Sequence, residues 1–383
     1  MDLITTTVEL AAACRRLAKH PAITVDTEFL RETTYYPLLC VVQMASPEEA
    51  IIVDALAESI DLNPFFELMS NEAVLKVFHA ARQDIEIVWH RANIIPHPIF
   101  DTQVAAMVLG YGDSIAYDQL VEKVTGHRPD KTHRFTDWSH RPLTKEQMHY
   151  AVSDVTHLRD VFAALDADLK KRHRSDWVSV EMETLTSPRT YDLPPERAWE
   201  RLKTRVRKPK ELAVLMEVAA WREQEAQNRD VPRGRVLRDD ALSDIATHAP
   251  ATLEKLIHLR SVPKGLEKSK WGADIIAAVQ RGLSRDLTKL PKLEKPRNNS
   301  NGTTAIIELL KVLLRMTAER HAVASKVIAT VDDLEQIADD DKADVAALRG
   351  WRRELFGNAA LKLKHGQIAL AIEKGRVIDV DRS

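Results

Sequence analysis

The stretch "AITVDTEFL", residues 22–30, alternates apolar and polar side chains and so predicts a β-strand. Ile23, Val25, Thr27 and Phe29 line one face, and Thr24, Asp26 and Glu28 line the other. Two carboxylates on one face, where the strand leaves a hydrophobic run, repel each other and resist burial. Either that face is wet, or something positive sits between the acids.

Working outward, "LLCVVQMAS" (38–46) and "AIIVDAL" (50–56) are further strand candidates in quick succession, which favours an antiparallel meander. "VLKVFHA" (74–80) and "HPIFD" (97–101) follow, separated by the helix-like "RQDIEIVWHRAN" (82–93). Thr144 and Gln147 have capping-box spacing and open a long helix with apolar residues at Met148, Val152, Val155, Leu158, Val161 and Leu165. Residues up to about 175 therefore read as an α/β domain with a mixed sheet. At the N-terminus Thr6 and Glu9 also have capping-box spacing, so a surface helix rather than a leader is expected there.

From Pro188 the pattern changes. "SPRTYDLPPERAW" (187–199) is a proline-containing connector, and "RLKTRVRKPK" (201–210) carries six basic residues and no acid. Beyond it only helical patterns are read, interrupted by the linker-like "LPKLEKPRNNSNGTT" (290–304). A shift of 92 residues aligns "ALSDIA" (241–246) with "DLEQIA" (333–338) and pairs Ala226 with Ala318, Val231 with Val323 and Val236 with Ile328. The shared apolar pattern predicts two copies of one small helical bundle. Their surfaces differ, since residues 260–297 hold ten Lys or Arg against four acids.

The 383 residues are 44% hydrophobic and 29% charged, a globular composition, and the net charge of −2 is an average over blocks of both signs. Cys14 and Cys40 are the only cysteines and have no metal-ligand spacing, which excludes a disulfide scaffold and fits a reducing compartment. The longest uncharged run, 33–47, is too short for a membrane span. A cytoplasmic location and no membrane partner are expected.

Two more acids complete a constellation. Asp84 lies at a strand-to-helix junction, a usual place for functional groups on an open α/β sheet. Asp154 lies on the long helix with Tyr150 four residues earlier, so hydroxyl and carboxylate share a face. Magnesium and manganese prefer carboxylate and water oxygens, and two such ions about 4 Å apart can bind the attacking and leaving oxygens of a phosphodiester. Asp26 and Glu28 tolerate adjacency if the charge between them is metal. The bland alternatives are solvated acids, a helix N-terminal acid at Asp84 and a core aromatic at Tyr150. His79 reads as structural, and Asp101 as a helix N-cap.

"VDTE" (25–28), "HAARQD" (79–84) and "YAVSD" (150–154) together resemble the three exonuclease motifs of the DEDD superfamily, in the subgroup with a tyrosine four residues before the last Asp. "LMEVAAWREQEAQNRDVPRGRVLRDDALSDIA" (215–246) resembles the helicase-and-ribonuclease-D C-terminal (HRDC) domain. In combination they are similar to the bacterial ribonuclease D family; the second helical copy lacks the Trp-Arg and Asp-Val-Pro-Arg features of the first. The resemblance implies a ribonuclease H-like α/β exonuclease domain over 1–175, a connector over 176–206, a first HRDC domain over 207–288, a linker over 289–303 and a second, divergent all-α HRDC-like domain over 304–383. It implies a 3′-to-5′ exoribonuclease that trims tRNA precursors and other structured RNAs and releases 5′-mononucleotides, with two divalent ions, Mg2+ or Mn2+. Asp26, Glu28 and Asp154 are then direct metal ligands, Asp84 holds the second metal, and Tyr150 orients the attacking water. Alternatives are a DNA exonuclease of the same superfamily and a non-catalytic RNA-binding adaptor. Lys131 and Arg134, in a basic loop between catalytic elements, and Arg201, Arg205, Arg207 and Lys208, in the basic run, are candidate contacts to RNA phosphates. No obligate protein partner is implied.

Overall fold

The structure, a computed structural model, describes residues 3–130, 132–133, 136–203, 206–291 and 301–382. The strand read from residues 22–30 forms as β2 (Ala22–Leu30) and runs through the middle of a six-stranded sheet. The others are β1 (Leu3–Ile4), β3 (Leu38–Ala45), β4 (Ala50–Asp54), β5 (Leu75–Phe78) and β6 (Ile99–Asp101), in the order β1-β4-β3-β2-β5-β6. β3 and β4 pair antiparallel, while β1 with β4, β2 with β5 and β5 with β6 pair parallel, so the sheet is mixed as expected. β1 has no counterpart in the sequence reading, because two residues are too few for a period to show.

Helices α1 (Thr7–Leu17), α2 (Asn63–Ser70), α3 (Arg82–Ala92), α4 (Thr102–Val108), α5 (Tyr117–Thr125), α6 (Lys145–Lys171) and α7 (Ser175–Leu185) accompany the sheet. Thr6 accepts from the Glu9 N–H at the start of α1, and the full capping box of Thr144 and Gln147 opens α6. Thr24 is buried on the carboxylate face of β2, and its hydroxyl donates to the Val155 carbonyl at 2.8 Å, which ties the strand to α6.

The helical repeat is visible in the element bounds. α8 (Pro209–Arg229), α9 (Arg233–Val236) and α10 (Asp239–His248) are followed by α11 (Leu253–Ile257) and α12 (Lys270–Leu283). Ninety-two residues on, α13 (Asn301–His321), α14 (Ser325–Ile328) and α15 (Val331–Asp339) repeat the first three. The second copy ends in a hairpin, β7 (Ile368–Glu373) with β8 (Arg376–Asp381), so the helical reading beyond residue 188 needs correction there. Its turn is Lys374-Gly375, both at positive φ, which is the geometry of a tight two-residue hairpin turn.

The chain forms two compact units. One holds residues 1–28, 41–187 and 298–383, that is, the sheet with its helices and the second helical copy. The other holds residues 29–40 and 188–297. Its core joins Val218, Leu242, Ile245, Ile275 and Val279, and the connector contributes Ala198, with Trp199 and Leu202 packed alongside. Among the described residues no helix is long and apolar enough to cross a membrane.

Candidate active site

The carboxylates converge because three elements meet at the end of β2. Asp26 and Glu28 project from one face of the strand, half-buried. Asp154 is buried on α6, one helical turn beyond Tyr150. One carboxylate oxygen from each of Asp26, Glu28 and Asp154 lies within 4.8 Å of the other two.

Asp84 reaches the group by a separate route. It sits buried in the first turn of α3, and it accepts a 2.5 Å hydrogen bond from the Thr27 hydroxyl on the opposite face of β2. The corner that presents it is held by Asp101. That carboxylate caps α4 at the Gln103 N–H (2.8 Å) and also accepts from Ala80 (3.0 Å) and Ala81 (2.8 Å) at the entry to α3. Ala80 is left-handed at φ +59, a strained conformation for alanine that these bonds stabilise. The expected N-cap is therefore there, with a second role that no spacing rule reveals. His79 Nδ1 lies 3.0 Å from the Thr102 hydroxyl, beside the same corner.

Burial lifts the pKa of all four acids, and mutual repulsion adds to it for three. Glu28 is raised first by burial, then by Asp26, Asp154 and Asp84. Asp154 and Asp84 are raised by burial and then by Asp26. The Tyr150 hydroxyl is bonded to Asp154 and is pushed above its ordinary range by burial and by the negative charge of Asp154, Glu28 and Asp26. It stays protonated and is a donor at neutral pH. Four desolvated carboxylates cannot all ionise without a compensating charge, and an all-oxygen donor set suits a hard divalent cation. The residues therefore fit a metal of the Mg2+ or Mn2+ class.

A cleft of about 630 Å³ opens beside Tyr150, lined also by Ser153, His127, His133, His149 and His157. His133 belongs to the basic loop already read as a candidate phosphate contact, whereas the bonding role of Thr27, and Tyr117, His127, His149 and His157, escape the sequence reading. Tyr117 donates its hydroxyl to the Asp154 backbone carbonyl and so fixes the helix turn that carries the carboxylate. A threonine between two acids is a weak signal, and a tyrosine 37 residues from its partner is none.

The structure thus brings together Asp26, Glu28, Asp84, Tyr150 and Asp154. It treats the candidate RNA contacts differently. Arg201 donates one Nη1–H to Glu223 at 3.3 Å, a carboxylate that is 1% exposed, while about a third of the Arg201 side chain (34%) stays exposed. Lys208 pairs with Glu211 at 3.5 Å with its ammonium largely exposed, and Arg207 is exposed. Lys131, Arg134 and Arg205 lie outside the described residues.

Residues 1–170 match the 3′-5′ exonuclease family and residues 211–279 match the HRDC domain. The chain is 82% identical to ribonuclease D of Nitrobacter hamburgensis over the full length of both. It is 45% identical to ribonuclease D of Bartonella henselae, covering 98% of this chain and 93% of that one. Among solved structures it resembles Escherichia coli RNase D, described as an exoribonuclease involved in structured RNA processing, with a TM-score of 0.84 and 27% identity over 95% of this chain and 98% of that one. The catalytic core of RRP6 from Trypanosoma brucei shares the fold at 21% identity and a TM-score of 0.54, over 75% of this chain and 80% of that one. An exonuclease module that gathers its acids at the end of β2, an HRDC module later in the sequence, and relatives matched along nearly their whole length place this chain in the ribonuclease D family of 3′-5′ exoribonucleases.

Proposed function

We propose that this chain trims extra nucleotides from the 3′ ends of structured RNAs, tRNA precursors among them, in the cytoplasm, and releases 5′-mononucleotides at a site that takes two divalent ions. The observation that carries the reading is the convergence of Asp26, Glu28 and Asp154 oxygens within 4.8 Å, with the Tyr150 hydroxyl on Asp154. Asp26, Glu28 and Asp154 would hold one metal directly, and Asp84 would help hold the second. Bound there, the metals supply charge stabilisation and lower the pKa of the attacking water. The remaining work falls to the chain's own side chains. Tyr150, neutral at working pH, orients the water through its hydroxyl. Thr27 and Asp101 keep Asp84 turned toward the strand. The cleft beside Tyr150 receives the 3′ end, and the exposed cations Arg207 and Lys208, with Lys131, Arg134 and Arg205, contact phosphates. Residues 1–175 serve as the chemical module, and 207–288 and 304–383 as helical modules joined through 176–206 and 289–303.

The test is incubation of purified protein with 3′-extended tRNA, with Mg2+ or with EDTA, alongside a matched DNA oligonucleotide. Stepwise shortening to 5′-mononucleotides, abolished by EDTA and weak on DNA, is expected. Preference for DNA establishes the deoxy-specific alternative, and binding without cleavage establishes the adaptor.

A further inference from the structure

Both helical copies use one edge, the turn that follows their first long helix, to grip another part of the chain. In the second copy that turn centres on Ala322, at φ +47. Arg174 donates to the carbonyls of Ala322 (3.1 Å) and His321 (2.7 Å), and the Ala324 N–H donates to the Met107 carbonyl (2.8 Å). Gly110 lies so close that a Cβ there would come within 2.6 Å of the Ala322 oxygen. In the first copy the matching turn, 92 residues earlier, centres on Asp230 at φ +49. It grips residues 29–40, the segment that leaves the catalytic strand. Asp230 accepts from the N–H groups of Tyr35 (3.0 Å) and Tyr36 (2.9 Å). The buried Tyr35 hydroxyl donates to Glu223, which Arg233 also engages with bonds of 2.5 and 2.7 Å. Arg233 reaches the Tyr35 oxygen at 3.0 Å and lies 4.6 Å from the centre of its ring.

We propose that Tyr35, Glu223, Asp230 and Arg233 form a lock that positions Glu28 for metal binding. The Asp-Val-Pro-Arg signature of the helical domain then serves the catalytic strand and not RNA directly. The physical need is plain. Glu28 stands two residues from the end of β2, and Asp26, Asp154 and Asp84 all repel it. A strand end under that repulsion frays unless the chain beyond it is held. Seven residues after Glu28, Tyr35 is fixed by a cluster in which Glu223 is 1% exposed and Tyr35 9%. The inference rests on Glu28 being a metal ligand.

Isothermal titration of Mn2+ into the RNA-free, full-length protein tests it, for wild type, Tyr35→Phe, Glu223→Gln and the double variant. Each single change should weaken Mn2+ binding about three- to tenfold, the scale of one lost hydrogen bond. The double variant should be little worse than the more affected single one, because both break the same lock. Arg281→Ala, which breaks an exposed pair with Glu217 elsewhere on the helical domain, should leave Mn2+ affinity unchanged. Tyr35→Phe decides the matter if Glu223→Gln does not fold. Wild-type Mn2+ affinity in folded Tyr35→Phe overturns the lock alone. Absence of Mn2+ binding in the wild type overturns the metal assignment of the site, and the lock with it.

Discussion

Asp154 combines two roles that pull in opposite directions. It is a carboxylate kept from water, raised in pKa by burial and by Asp26, and it is the proposed ligand whose charge the chemistry needs. Without metal it costs the fold nothing in acid, where it is protonated in both states. It destabilises the fold progressively as pH rises from the ordinary carboxylate range through its raised folded value. Asp154→Asn in EDTA should therefore melt a few degrees above wild type at pH 8, with the gap closing toward pH 4. Mg2+ should raise the melting temperature of wild type and not of the variant, and cleavage by the variant should be lost. Differential scanning fluorimetry at the two pH values, with and without Mg2+, reads this directly. Tyr150→Phe asks a different question. The hydroxyl acts in the chemical step, so kcat should fall about 10²-fold, the lower end for proton-handling groups, with little change in RNA affinity. Single-turnover kinetics beside equilibrium binding separate the two effects. An unchanged kcat returns Tyr150 to a packing role.

Asp101 matters at the scale of elements, because it joins the entries of two helices. Its carboxylate satisfies N–H groups at the start of both α3 and α4 while 2% exposed. Asp101→Ala removes the acceptor from the buried Ala81 N–H and from the half-buried Gln103 N–H, which should destabilise the protein by about 2 kcal/mol. Asp84 rides on the corner that Asp101 holds, so folded Asp101→Ala should also cleave more slowly than wild type. Asp101→Asn, which keeps one acceptor, should recover part of both losses. Denaturant melts together with cleavage rates at saturating RNA check this. Recovery of stability without recovery of rate would show that the corner does not position Asp84.

For the whole molecule, the second helical copy belongs to the same compact unit as the sheet, although the sequence places it last. Trp351 stacks on Trp177 of α7 with ring centres 4.2 Å apart, and Arg352 pairs with Glu181. A chain cut after Ser187 keeps every proposed catalytic group but loses these contacts and those of Arg174. It also loses Glu223, Asp230 and Arg233, so it should cleave short single-stranded RNA only at metal concentrations above those the full chain needs, with a melting temperature several degrees below that of the full chain. It should also bind structured tRNA more weakly, with a shallower salt dependence. Neutralising Arg207 and Lys208 in the full chain should each remove about 0.7–0.9 from the slope of log affinity against log salt. Arg201→Gln should leave the slope unchanged and lower stability, because its guanidinium serves Glu223. Affinity measured at several salt concentrations distinguishes the two classes of arginine.

The sequence by itself determined the elements whose signals are local. Alternation marked β2 to the residue, capping-box spacing marked the start of α6, and a 92-residue shift marked the repeated helices. Of the five candidate catalytic residues, Asp26 with Glu28 and Tyr150 with Asp154 are paired by the periods of strand and helix, Asp84 stands at a strand-to-helix junction, and only their resemblance to the three DEDD motifs groups them as one candidate site. Only the tertiary structure decided what depends on distant partners. Thr27 meets Asp84 across 57 residues, Tyr117 meets Asp154 across 37, and Tyr35 meets Glu223 across 188. None of these pairs leaves a periodic trace, since each partner is an ordinary residue in its own element. The fate of the basic run was hidden for the same reason. A cation reads alike in sequence whether it faces water or a buried glutamate, and for Arg201 only the packing of the connector beside α8 settles which.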